Sequence, residues 1–138
     1  MIISMSRRTD LAMKALAALA GFRERVNGET LAAEIETSVQ FLPQVVGPLV
    51  KAGWVDSERG PGGGYELATP LASITLLDVV EVAQGPIEDG RCVMREGPCP
   101  GTESCPIHSA WLTSRDVLIE ELGQVTLAEA LQLDTTEV

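Results

Sequence analysis

Apolar side chains recur at helical spacing over residues 9–25, with Leu11, Ala15, Ala18, Leu19 and Phe22 on one face. Asn27-Gly28 breaks that pattern. A short second helix is expected over Leu31–Glu36, with Thr30 as its N-cap, and Thr37-Ser38 forms a turn. A third helix runs from about Gln40 to Ala52 through Leu42, Val45, Val46 and Leu49, and Gly53 stops it. It carries Pro43, Gly47 and Pro48. Pro43 is tolerable only in the first turn, and Pro48 should bend the remainder of the helix. Two short helices joined by a turn behind a longer one form a helix-turn-helix. Strand-like composition at Trp54–Glu58 and Tyr65–Ala68 then flanks Arg59-Gly60-Pro61-Gly62-Gly63-Gly64. That is a hairpin whose glycine-rich tip can approach another backbone closely, the wing of a winged helix. A phosphate-binding loop is rejected, because it needs a helix and a lysine after the glycines.

Thr75–Gln84 reads as a fourth helix, and residues 85–106 then lose all periodicity. Ile107–Leu122 is a long helix with Ile107, Trp111, Leu118 and Leu122 on one stripe, and Gly123 ends it. A compact winged helix has little room to bury it, so it is expected to pack against its twin in a dimer. Thr126–Leu133 is a short terminal helix. The expected class is mainly α with a small β-wing. Its parts are a DNA-binding domain (1–84), a cysteine-containing loop (85–106) and a dimerisation helix with a terminal helix (107–138).

Composition changes this picture in two places. Aromatic residues are only 4% of the chain, so aliphatic side chains must supply the core. A net charge of −10 looks wrong for a partner of polyanions. The charge is uneven, however: residues 1–70 have a net of −1, whereas residues 71–138 have a net of −9. The front half is free to meet DNA. No apolar run reaches membrane-spanning length, and the start, Met1 to Arg8, lacks the charge order of a secretion signal. A cytoplasmic protein is expected, with no membrane contact.

All three cysteines lie between positions 92 and 105, in a loop with four glycines and four prolines. An odd number argues against a disulfide framework and for metal or redox chemistry. The spacing of Cys92, Cys99 and Cys105 is unlike the paired knuckles of structural zinc sites. Thiolates are the usual ligands of iron–sulfur clusters. Zinc held by three cysteines and a histidine, and unligated thiols, stay open as alternatives. Pro106 suits a first helical residue, which would put the Cys105 sulfur at a helix N-terminus. His108, the only histidine, lies three positions after Cys105 and is a candidate fourth ligand. Trp111 reads as packing rather than as part of a binding site.

From Thr9-Asp10-Leu11-Ala12 to Thr126-Leu127-Ala128-Glu129 the sequence resembles the IscR/NsrR/RirA family of iron–sulfur-dependent regulators. The resemblance is most specific at Arg59-Gly60-Pro61-Gly62-Gly63-Gly64-Tyr65 and at Cys92…Cys99…Cys105-Pro-Ile-His108 leading into Trp111. It implies a homodimer that binds palindromic operators in double-stranded DNA and senses iron–sulfur status, nitric oxide, iron or redox state. It also implies two alternatives for the fourth ligand. One branch uses a histidine at the position of His108 on a 2Fe–2S cluster. Another supplies an aspartate, at the position of Asp10, from the partner subunit to a 4Fe–4S cluster. Asp10 and the 4Fe–4S form are narrowly preferred, because Asp10 sits beside Arg7 and Arg8 and would couple the cluster to the DNA-binding half. In the family the position of Pro43 often carries an operator-selecting polar residue, so the family's DNA sequence preference is not carried over to this chain.

For DNA, Ser38, Gln40, Phe41 and Gln44 fall at the start of the third helix, where base edges are read. Arg7, Arg8 and Lys51 suit phosphates, and Arg59 at the wing tip suits a minor groove. A zinc-stabilised winged helix acting as a regulator or in protein contacts is the competing function. No Ser/His/Asp set, paired carboxylates or nucleotide loop supports an enzyme.

Overall fold

The computed structural model describes residues 4–88, 90–94, 97–99 and 105–136. Parts of the cysteine loop and the first three residues of the start lie outside the described residues. Helix α1 spans Arg7–Gly21, α2 Gly28–Glu34 and α3 Leu42–Lys51. Strands β1 (Val55–Glu58) and β2 (Gly64–Leu67) pair antiparallel, with Val55 opposite Leu67 and Glu58 opposite Gly64. A 3-10 turn at Leu71–Ser73 leads to α4 (Leu76–Gln84), then to α5 (His108–Gln124) and α6 (Leu127–Thr136). This is the winged helix-turn-helix with a long C-terminal helix that the hydrophobic pattern predicts.

Several boundaries differ, each for a local reason. Helix α1 ends four residues before the predicted Arg25, and Phe22 is exposed rather than on the buried face. Asn27-Gly28 does not merely end a helix; it begins one. The Asn27 side chain accepts the Thr30 N–H at 2.8 Å, so Asn27, not Thr30, is the N-cap of α2. Helix α3 starts at Leu42, two residues late, and Pro43 sits in its first turn where its missing N–H costs nothing. The helix then continues across Pro48 to Lys51. Only the hydrogen bond that position 48 would have donated to the Gln44 carbonyl is forfeited. Gly123 does not stop α5, which runs one residue further to Gln124.

One core joins these elements. Leu11 and Leu16 of α1, Leu31 of α2, Val46 and Leu49 of α3, and Val79 of α4 are all buried. Leu127 of α6 is only 1% exposed in the same core, and its N–H reaches the Ile74 carbonyl at 2.7 Å. Burying a leucine contributes about 1.5–3 kcal/mol, enough to tie α6 to the helix-turn-helix half. Helix α5 is different: none of its residues is buried.

The wing is held from outside. Val26 and Tyr65 exchange backbone hydrogen bonds at 2.8 and 2.7 Å, which adds a third short edge beside β2. Arg25 meets Asp56 at 2.6 Å, Glu66 at 3.2 Å and Glu58 at 3.8 Å. The hydrogen bond to Asp56 raises its pKa above the ordinary arginine value, and this cation stays charged. It offsets the acidity of the hairpin. At Gly64 the backbone has φ +134°, and a Cβ there would lie 2.2 Å from the Val26 carbonyl oxygen. Gly64→Ala therefore combines a forbidden conformation with a backbone clash. It should cost about 3 kcal/mol, read as a lowered unfolding midpoint in urea.

Candidate DNA interface and metal centre

The short turn Thr37–Phe41 feeds α3, and Ser38 organises it by accepting the Phe41 N–H on its side chain at 3.0 Å. A cleft of about 500 Å³ here is lined by Arg7, Ser38 and Phe41, together with Glu36 and Thr37. Phe41 is half-buried against the core, so it offers less surface than an exposed base reader. Ser38 and Gln40 lie just before the helix rather than within it, and both are exposed. Arg8 reaches from α1 to the Gln44 side-chain oxygen at 3.2 Å, which orients Gln44. A second groove, about 630 Å³, separates α3 from the wing; Pro43, Gly47 and Val50 face Glu58, Arg59 and Gly60 across it. Lys51 is exposed in the last turn of α3 and lines neither cavity.

The cysteine segment has its own small architecture. Arg91 and Pro98 form an isolated antiparallel bridge. The Cys92 N–H donates to the Gly97 carbonyl at 3.0 Å and the Cys99 N–H to the Gly90 carbonyl at 2.8 Å. Cys92 and Cys99 thus lie on the two paired strands of a hairpin, diagonally on either side of the Arg91–Pro98 bridge. Gly97, at φ +96°, supplies a backbone conformation that L side chains rarely adopt. Helix α5 closes the other side. Its residues His108, Trp111, Leu112 and Arg115 line one cavity of about 40 Å³ together with Cys92, Cys99 and Cys105. Those four stand at positions i, i+3, i+4 and i+7, which places them on one helical face.

The His108 Nδ1 lies 3.4 Å from the Cys99 Sγ. Sequence spacing pairs this histidine with Cys105, three positions away, and its N–H does donate to the Cys105 carbonyl at 3.3 Å, but its ring reaches Cys99. The helix begins at His108 and not at Pro106, so Cys105 sits two residues before the N-cap Ile107 and gains little from the helix dipole. Asp10 is exposed on α1 and pairs with Lys14 at 3.0 Å, a surface contact within one helix. Trp111, expected as packing, lines the cavity, and Arg115 was not anticipated. Helical spacing from His108 was the signal available for both.

Three thiols and an imidazole around one cavity are a donor set that fits an iron–sulfur group, and it also fits zinc. The described side chains do not already converge as three or more metal ligands.

A further feature connects this region to the DNA face. Gln84, the last residue of α4 before the cysteine loop, accepts the Ser6 N–H at 2.9 Å and the Thr9 hydroxyl through the same oxygen. Ser6 is the N-cap of α1, and Thr9 is buried. Arg8, which holds Gln44, lies between them.

Comparison with known proteins agrees with the winged-helix fold. A family model described as "Iron-dependent Transcriptional regulator", Rrf2, matches residues 5–132. The regulator IscR of Escherichia coli is 36% identical over 92 residues, which is 67% of this chain and 56% of that protein. Alignments with the curated relatives span between 56% and 64% of their length. Among solved structures, IscR of T. potens superposes with a TM-score of 0.70 at 26% identity, covering 94% of this chain and 87% of that one. CymR, described as the global cysteine regulator of B. subtilis, superposes equally well: TM-score 0.70, 26% identity, 96% and 98% coverage. These relatives are transcriptional regulators, not enzymes. Among the described residues, no helix is long and apolar enough to cross a membrane. The chain belongs to the Rrf2 family of iron-dependent transcriptional regulators.

Proposed function

We propose that this protein is a homodimeric DNA-binding regulator whose operator affinity is set by an iron–sulfur cluster on Cys92, Cys99 and Cys105. The observation that carries the reading is the single cavity lined by all three cysteines and the only histidine, behind a winged helix. The resemblance prefers Asp10 as fourth ligand; the chain's own geometry favours His108, which already touches the Cys99 sulfur. In the resemblance, a histidine at this position goes with the 2Fe–2S form. The residues of this chain bind the group with sulfur and imidazole, cover it with Trp111, and carry its state outward. Losing it frees the loop that begins at Gly85, and Gln84 passes that change to the first turn of α1 and so to Arg8 and Gln44. The twofold partner packs on α5, where Val117 is 54% exposed and no residue is buried.

Ser38, Gln40 and Gln44 meet base edges, Arg7, Arg8 and Lys51 meet phosphates, Phe41 backs the reading turn, and Arg59 enters the minor groove. Titrating cluster-loaded and cluster-free protein against palindromic duplexes tests the reading at one fixed salt concentration. Affinity should differ between the two forms, and Arg59→Ala should weaken operator binding by about 1–3 kcal/mol, the range for a good arginine contact. Equal affinity of the two forms would remove the cluster from control of DNA binding. Unchanged affinity in a folded Arg59→Ala variant would remove Arg59 from the interface.

A further inference from the structure

Arg115 is a cation half-buried in the acidic half of the chain, and its surroundings are lopsided. Its Nη2 meets Asp116 at 3.2 Å and Glu88 at 3.6 Å. Its Nε is buried and has no hydrogen-bond partner among the described residues. A buried charged donor without an acceptor is costly, and proteins rarely keep one without use for it. The same side chain lines the cavity of Cys92, Cys99, Cys105 and His108, two turns along α5 from that histidine. The walls of that cavity are rich in sulfur, and an iron–sulfur group bound there brings further anionic sulfur. Arginine N–H groups donate well to such acceptors because the bond is charge-assisted.

We propose that Arg115 is a binding residue for the iron–sulfur group, donating from Nε to a cysteinyl or inorganic sulfur and supplying the positive charge that balances it. This rests on the cluster reading above. Hydrogen bonds to sulfur and the net charge of the site are two of the levers that set a cluster's reduction potential. Arg115 therefore both retains the group and makes it easier to reduce, without being an iron ligand itself.

The experiment uses the full chain, reconstituted anaerobically, as wild type, Arg115→Leu, Arg115→Gln and Arg115→Lys. All four should show the cluster absorption, because every ligand remains. In Arg115→Leu the equilibrium constant for one-electron reduction should fall about tenfold, a shift of about 59 mV to more negative potential. Iron release to a chelator should become several-fold faster. Arg115→Lys, which keeps the charge but not the Nε geometry, should fall between wild type and Arg115→Leu. Should Arg115→Leu fail to fold, as read by circular dichroism, Arg115→Gln carries the same two readouts. Potentials and release rates equal to wild type in folded, coloured variants would overturn the inference alone. A colourless wild type containing zinc would overturn it together with the cluster reading.

Discussion

Replacing any one of Cys92, Cys99 and Cys105 by alanine should abolish the visible chromophore completely, rather than reduce it by a third. The reason lies in how the segment is ordered. Among the described residues of the loop no apolar side chain is buried to anchor it, and the backbone ties of the hairpin are the two cysteine N–H bonds that make the Arg91–Pro98 bridge. Metal ligation is then its main source of order, and removing one ligand frees the other two. Binding free energy at such sites is folding free energy for the segment. The dimer should persist, because α5 does not depend on the loop for its helical structure. Absorption spectra and sedimentation of each variant check both halves of this statement. A full-strength spectrum in one variant would remove that cysteine from the ligand set. His108→Ala belongs in the same series and should shift the spectrum, while Asp10→Ala leaves it unchanged. The opposite pair of results would return the fourth position to Asp10 of a partner subunit.

Gln84→Leu should leave the cluster in place and disconnect it from DNA. The substitution removes the one oxygen that accepts both the Ser6 N–H and the Thr9 hydroxyl. Thr9 is 1% exposed, so its hydroxyl keeps only the Ser6 side chain at 3.1 Å. Losing a buried hydrogen-bond partner costs about 1–3 kcal/mol, which should appear in thermal or urea unfolding. The functional effect is separate. The ratio of operator affinities between cluster-loaded and cluster-free protein should collapse toward one, while the absorption spectrum stays that of wild type. Gln84→Glu should restore the ratio, since a carboxylate accepts the same two hydrogen bonds. A preserved ratio in Gln84→Leu would show that the signal reaches α3 by another route.

The features that were legible in the sequence share a physical cause. Helices α1, α3 and α4 and the wing carry periodic apolar positions or a glycine run, and local chemistry of that kind predicts local structure well. Boundaries slipped where a side chain's role depended on its neighbours. Asn27-Gly28 reads as a break and serves as a cap because the Thr30 N–H needs an acceptor. The site was half visible. Cysteine spacing named the candidate ligands, yet the hairpin that puts Cys92 and Cys99 on paired strands has no periodicity to announce it. The contact of His108 with Cys99, nine positions away, arises from that hairpin and not from any helical repeat. The preference for Asp10 came from resemblance, whereas within this chain its carboxylate is engaged by Lys14. Arg115 and Gln84 were missed because their meaning is tertiary: one is a cation on a cavity wall, the other a bridge between two helix ends.

Anaerobic purification of the full chain, with an absorption spectrum and assays of iron, acid-labile sulfide and zinc, decides whether the cysteine cavity holds an iron–sulfur cluster. The expected result is a coloured protein with iron and sulfide in equal amounts and no stoichiometric zinc, and a spectrum lost on exposure to a strong iron chelator. A colourless protein carrying zinc on the same three cysteines and His108, or one carrying neither metal, would contradict it.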